Sequence, residues 1–324
     1  MAHRWLSLCV LTSILLAASV GSAAARTSEA PKTGNTIEGD KVSFESADGV
    51  TLHANLWRAE GDEQRGAILF VHEPQRSQRD WAYMAQKLSR RGFHTLTFDL
   101  RGHGKSLMKG DEELDREIFG TEEYLEMAQD VLAAVAELRK HAGADVDLHL
   151  IGADLGSSLA LMFGVDDPAV QSVAMISPGL GYDDVNIVGK AGQFRRPLLF
   201  VYSVEDSYSR KSAEVLAKEA TGPSHTEVYY GVGHGTKMLS REPALENFLQ
   251  SWFLGTVITP EGRALADTGK PEAGAKDVEG SVDVEAEKAK LEAQRKAVQE
   301  GAVEDDDEES GKKLGDALDR SSRR

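Results

Sequence analysis

The six residues Gly66–Val71 (GAILFV) contain no polar side chain. A strand with one face in water alternates apolar and polar residues, so a run with no polar position is covered on both faces. Strands of that kind belong to parallel sheets packed between helices. The rest of the chain supplies the partners. Thr95–Leu100, Val146–Ile151, Val173–Ser177, Leu198–Tyr202 and Glu227–Tyr230 read as further strands. Between them, helical spacing is expected over Asp80–Arg91, Thr121–Lys140, Leu155–Phe163, Ser209–Ala220 and Pro243–Leu254. Thr121 is the expected N-cap of the longest of these, with Glu123 in its first turn. Upstream, Val42–Ser46 and Val50–Trp57 alternate as an antiparallel hairpin would. The order predicts an α/β fold: a mostly parallel sheet with an antiparallel N-terminal hairpin and helices on both faces. Function in such sheets sits at the carboxyl ends of the strands.

The flanks differ in character. Residues 1–25 carry Arg4, an apolar run from Trp5 to Val20 and a Gly-Ser-Ala-Ala-Ala stretch. That pattern predicts a cleaved signal peptide, export to the periplasm or the extracellular space, and no transmembrane anchor after cleavage. Cys9 is the only cysteine, so the mature chain is expected to fold without a disulfide. Residues 26–40 read as a linker and 41–258 as the folded domain. Residues 259–324 hold 12 basic and 18 acidic residues and no aromatic. They read as a disordered acidic tail whose protein partner the sequence does not name. The net charge of −16 argues against nucleic acid as a partner, because phosphate binding needs clustered Lys and Arg. No phosphate loop, nucleotide fingerprint or metal-spaced histidine cluster occurs, so no cofactor and no metal are expected.

Gly152-Ala153-Asp154-Leu155-Gly156 lies between a strand and an apolar helix. Gly-x-nucleophile-x-Gly in that position is a nucleophile elbow, a strained turn that thrusts its central residue above the sheet. Here that residue is Asp154, beside a helix N-terminus that favours negative charge. Ser203-Val204-Glu205-Asp206 follows one later strand, and Gly231-Val232-Gly233-His234-Gly235-Thr236 follows another. In this order Asp206 would orient His234, and His234 would act as general base. Asp183, Asp184 and Glu205 are alternative acids. Ser157 and Ser158, three and four residues past Asp154, are alternative nucleophiles.

With these residues in view, the chain resembles the α/β-hydrolase superfamily over most of residues 41–257. FVHE at 70–73 stands where those proteins commonly have a strand ending in His-Gly. Asp99–Ser106 (DLRGHGKS) is similar to their DxRGHGxS loop, and GVGHGT at 231–236 resembles their histidine loop. The likeness is to compact esterase-like members, such as dienelactone hydrolases and lysophospholipases, and it implies a small-molecule substrate. The short stretch between Leu180 and Pro197 leaves no length for a cap domain. Two departures matter: Asp154 replaces the usual elbow serine, and Glu73 replaces a glycine beside the oxyanion region that Leu155 would complete.

Those departures leave two main readings, beside a third in which Ser157 or Ser158 serves as the nucleophile of an esterase. In the first, Asp154 attacks an sp3 carbon, as in the haloalkane dehalogenases and epoxide hydrolases of the same superfamily, and His234 then activates water. In the second, the chain is a catalytically inactive homologue that binds a ligand or a protein, and Asp206 and His234 are structural.

Overall fold

The computed structural model describes residues 38–182 and 185–255. The expected signal peptide, nearly all of the linker, Asp183, Asp184 and the acidic tail lie outside the described residues. The chain enters through the antiparallel pair β1 (Asp40–Glu45) and β2 (Val50–Trp57). There follow β3 (Gly66–Val71), α1 (Ala82–Ser89), β4 (Phe93–Phe98), the short hairpin β5 (Met108–Lys109) and β6 (Glu112–Glu113), and the long helix α2 (Thr121–Ala142). Next come β7 (Leu148–Ala153), α3 (Leu155–Asp166), β8 (Val170–Ile176), a second hairpin of β9 (Gly181–Tyr182) and β10 (Val185–Asn186), and the one-turn α4 (Lys190–Gln193). The chain finishes with β11 (Leu198–Ser203), α5 (Ser207–Glu219), β12 (Ser224–Tyr229), α6 (Lys237–Arg241) and α7 (Pro243–Phe253). The main sheet runs β12-β11-β8-β7-β3-β4-β2-β5-β6, with β1 paired to β2. From β4 to β12 every neighbouring pair along that path is parallel.

The absence of a polar position in Gly66–Val71 has its structural counterpart in two cores. Leu69 and Val71 pack with α2, α3 and α5 on one face, while Ile68 and Phe70 pack with α1, α6 and α7 on the other. All six residues of β3 are buried. Burying a side chain of that size is worth about 1.5–3 kcal/mol, which is why the strand sits in the middle of the sheet and not at an edge. β7 follows the same logic, with Leu150 on the first face and Ile151 on the second. Among the described residues, the stretch between β8 and β11 holds only the second hairpin and α4, so no packed helical lid covers the strand ends there. No described helix is long and apolar enough to cross a membrane.

Local differences from the expected elements have local causes. The residue before α2 is Gly120, and the Glu123 carboxylate reaches back to accept from its N–H at 2.8 Å, so Thr121 is the first helical residue rather than the cap. The expected helix over Asp80–Arg91 divides into a 3-10 turn at Gln78–Trp81 and α1. Asp99 contributes to that start, since its carboxylate accepts from the Gln78 N–H and from the Gln78 side chain. β12 begins at Ser224, earlier than its sequence pattern indicates, because its exposed edge carries few apolar residues.

The DLRGHGKS loop braces the fold. Arg101, 1% exposed, donates through Nη2 and Nε to Asp130, which has no exposure, and through Nη1 to Asp48 and Glu126. Asp130 also accepts from the Arg101 backbone N–H at 2.9 Å. Burial nonetheless pushes the Asp130 carboxyl up to about 6. Removing the guanidinium strands a buried carboxylate, so Arg101→Met is expected to lower the unfolding free energy by about 3–5 kcal/mol. Urea denaturation measures it. Adding Asp130→Asn, which keeps the acceptor for the backbone N–H without the charge, recovers part of that loss.

Candidate active site

Four parallel strands deliver the site. β7 ends at Ala153, and Asp154 sits in the turn into α3 with φ 54° and ψ −124°. That conformation is rare for a residue with a Cβ and costs about 1–3 kcal/mol, so the surroundings must hold it in place. The Asp154 N–H donates to Ile176 O at 2.9 Å, tying the turn to β8. A Cβ on Gly152 would fall 2.2 Å from the Gly156 carbonyl oxygen, so only glycine lets the chain fold back this tightly. β11 leads to Asp206, β12 leads to the loop carrying His234, and β3 leads to His72 and Glu73.

These side chains converge on one imidazole. His234 Nδ1 donates to Asp206 Oδ2 at 2.6 Å. Its Nε2 faces Asp154 Oδ2 at 3.4 Å and Glu73 Oε2 at 3.9 Å. The contact with Asp154, then the bond to Asp206, pushes the His234 pKa up to about 10 against the opposing effect of burial. The ring is therefore an imidazolium at neutral pH. Burial raises Asp154, although His234 pulls it back down and the Leu155 N–H favours its ionised form. For Asp206, burial acts upward, but the bonds from His234 and Ser209 outweigh it and hold the carboxyl below its usual range.

Glu73 is 6% exposed. Its Oε1 lies 3.2 Å from the Thr236 N–H and 2.8 Å from Thr236 Oγ1. The side chain fills the space over Gly235, where a Cβ would come within 1.5 Å of Oε2. Burial raises its pKa, with Thr236 and His234 acting in the opposite direction. Residue 72 sets where Glu73 stands. His72 Nδ1 donates to Glu73 O at 2.7 Å and its Nε2 accepts from the Leu100 N–H at 2.9 Å, so the ring is neutral and structural.

The structure thus brings Asp154, His234, Asp206 and Glu73 together. Glu205 is turned elsewhere: its Oε2 accepts from Ser203 Oγ and from the Gly231 N–H, latching the start of the histidine loop. Ser157 and Ser158 carry no exposure, and their hydroxyls donate to Asp154 O and Gly179 O, away from the imidazole. Leu155 follows the elbow with its side chain in the core. Residues the sequence reading missed complete the site. Ser177, at φ 48°, accepts from the Gly235 N–H at 2.9 Å and so fixes the histidine loop to β8. Thr236 ties Glu73 to Asp80. Tyr182 and Tyr208 pair edge to face at 5.9 Å, and the charge of Asp154 adds to burial in raising the Tyr208 phenol. Ser177, Tyr182 and Tyr208 have no sequence signal, because each acts through a partner more than 20 residues away, while Thr236 is marked only as the last residue of the GVGHGT loop.

The ligating atoms of Glu73, Asp154 and His234 lie within 4.8 Å of one another, a distance compatible with a shared cation. No sequence spacing shows this trio, since its members are widely separated along the chain. A cation there would compete with the Nε2 proton, which the contact with Asp154 stabilises.

Comparisons with known proteins agree with this architecture. A family model described as serine aminopeptidase, S33, matches residues 62–201, a stretch that contains the elbow but not the histidine loop. No curated protein matches the chain in sequence. Among solved structures, a dienelactone hydrolase from Anabaena variabilis is 18% identical with a TM-score of 0.50, covering 67% of this chain and 98% of its own. A thermostable carboxyl esterase from Bacillus coagulans is 15% identical with a TM-score of 0.56, covering 69% and 100%. An alpha-beta serine hydrolase homologue from Coxiella burnetii is 18% identical with a TM-score of 0.52, covering 67% and 98%.

The raised His234 pKa has a consequence for stability. The folded value lies above the unfolded one near 6.5, so the contribution is full below about pH 6.5 and is lost as pH rises through about 10. Proton-detected imidazole NMR is expected to show His234 charged at pH 8, with a midpoint near 10. Asp154→Asn should lower that midpoint by more than one pH unit, and the thermal stability gap between wild type and His234→Gln should shrink from pH 7 to pH 10.

Proposed function

We propose that this chain, a member of the α/β-hydrolase superfamily, is a small-molecule hydrolase in which Asp154 is the nucleophile, His234 the base and Asp206 the orienting acid. The observation that carries this reading is the strained elbow. It holds a carboxylate, not a hydroxyl, opposite the Nε2 of a histidine whose Nδ1 is fixed by a second carboxylate. Strain of that kind persists where the surrounding structure enforces it.

The chemistry follows from the nucleophile. Attack by Asp154 on a carbonyl would form a mixed anhydride, a product less stable than the ester it came from. Attack on an sp3 carbon forms an ordinary alkyl ester on the protein. The resting imidazolium cannot take a proton. Once Asp154 is esterified, however, its negative charge is gone, and that charge is the leading cause of the raised His234 pKa. His234 then falls towards its ordinary value and becomes a base for the water that cleaves the ester. His234 is 43% exposed, which leaves that water a path to the ring. Export through residues 1–25, release to the periplasm or the extracellular space, and an acidic tail beyond residue 258 belong to the same proposal.

One observation favours a second reading, an inactive homologue that binds a ligand or a protein. Glu73 puts a buried carboxyl where a serine esterase would hold a developing oxyanion, and hydrogen bonds fix it there. The two readings separate in one experiment. In His234→Gln, hydrolysis of the alkyl ester is blocked, so incubation with a panel of small alkyl halides and epoxides should add the alkyl mass to the peptide containing Asp154. An unchanged intact mass across the panel, in a folded protein, establishes the binding reading instead. Asp154→Ser alone should stay inactive on p-nitrophenyl acetate, whereas Asp154→Ser with Glu73→Gly should gain at least tenfold over it.

A further inference from the structure

We propose that the cavity between the loops that follow β3 and β4 is a binding site for a small hydroxy acid, held through its carboxylate by Arg76 and Arg116. The inference goes beyond the Asp154 nucleophile reading and does not depend on it, because the cavity is lined by its own side chains.

The cavity is about 450 Å³, a size that takes a small molecule, and it opens to solvent. Two guanidiniums line it. Arg76 comes from the loop after β3, next to Gln75 at φ 62°, a left-handed conformation that the surrounding structure has to enforce. Its Nε donates to Asp80 Oδ2 at 2.5 Å, which anchors the side chain. Nη1 and Nη2 make no hydrogen bond to a described residue, so the outer edge of the guanidinium is free. Arg116 comes from the 3-10 turn Arg116–Ile118. Its stem lies against the Gly102 turn, where an added Cβ would come 3.0 Å from Arg116 Cβ. No described carboxylate pairs with Arg116, and its neighbour Asp115 accepts from the Glu117 N–H instead. A planar guanidinium offers two parallel N–H donors, the geometry that a carboxylate matches.

The rest of the wall selects the ligand. Among the described residues, Asp80 is the one acidic side chain on it, against two guanidiniums, so a singly charged anion fits better than a phosphate dianion. No apolar side chain lines the cavity: Gln75, Ser77, His103 and two glycines complete it. A hydrocarbon body would gain nothing there, whereas hydroxyls meet the Gln75 amide and the Ser77 hydroxyl. His103 is 3% exposed, and its Nδ1 donates to Arg101 O at 2.7 Å. Burial holds its pKa down to about 4, and the charge of Arg116 acts the same way, so the ring is neutral and adds no charge to the wall. Its Nε2 is then a buried acceptor with no partner among the described residues, and a hydroxyl is the donor such an atom lacks. The catalytic cluster is a neighbour of this cavity. Thr236 Oγ1 lies 2.6 Å from Asp80 Oδ2 and 2.8 Å from Glu73 Oε1, and Arg76 Nε is 3.7 Å from the same Glu73 oxygen.

The test is an NMR titration of the full chain at fixed ionic strength, with gluconate as the probe. Hexanoate keeps the carboxylate without the hydroxyls, and glucose keeps the hydroxyls without the charge. Gluconate is expected to bind one to one and at least about tenfold more tightly than either. Arg116→Met is expected to weaken gluconate at least about tenfold, and Arg116→Lys, which keeps the charge without the fork, to fall between the two. His234→Gln is expected to change the affinity less than about threefold, since the imidazolium belongs to a different site. Retained affinity in folded Arg116→Met, or no gluconate binding at all, overturns the proposal. Loss of binding in His234→Gln also overturns it and places the ligand at the imidazolium. Inorganic phosphate or hexanoate binding as tightly as gluconate reduces the cavity to a site for an adventitious ion only, which overturns the hydroxy acid. Should Arg116→Met not fold, Arg116→Lys and the comparison of ligands decide the matter.

Discussion

The site is organised by one charged ring placed among three carboxyls. His234 is fixed at Nδ1 by Asp206 and faces Asp154 and Glu73 at Nε2. A carboxylate half-buried at an elbow needs a counter-charge, and the imidazolium supplies it. The surrounding hydrogen bonds maintain that arrangement. Ser177 and Glu205 hold the histidine loop from two sides, and His72 fixes the backbone of Glu73.

This arrangement differs in kind from an acyl-transfer site. A serine nucleophile needs a neutral histidine at rest and donors, not acceptors, around the nascent oxyanion. Here the histidine is charged at rest, and the residue after His72 presents a carboxyl. Both features suit a nucleophile that is already ionised and a reaction that places no negative charge on a carbonyl oxygen in its first step. The solved structures of similar fold include an esterase and a dienelactone hydrolase. At 15–18% identity they establish the scaffold, and the reaction has to be argued from the side chains.

Much of the scaffold was legible because its signals are local. The unbroken run at Gly66–Val71 and the alternation in Val50–Trp57 each follow from which face a single strand must bury. The two short hairpins were not legible, since two residues per strand carry no period. Nor was the 3-10 turn before α1, which depends on Asp99, a residue from the far side of β4. At the site, Asp154, His234 and Asp206 could be picked out because each follows a strand in a recognisable loop. Glu73 stood out only as a departure, and nothing in the sequence indicated that Thr236 would link it to Asp80.

What the sequence by itself determined is the set of strand-end loops and the residue type in each: a carboxylate at the elbow, an acid after β11, a histidine after β12. Hydrophobic periodicity and glycine placement act over a few residues, so they can be read along the chain. The tertiary structure decided the charge state of those groups. Protonation depends on distances of 3 to 4 Å between residues some 30 to 160 positions apart, and only the packed parallel sheet, which brings its strand ends to one rim, sets those distances.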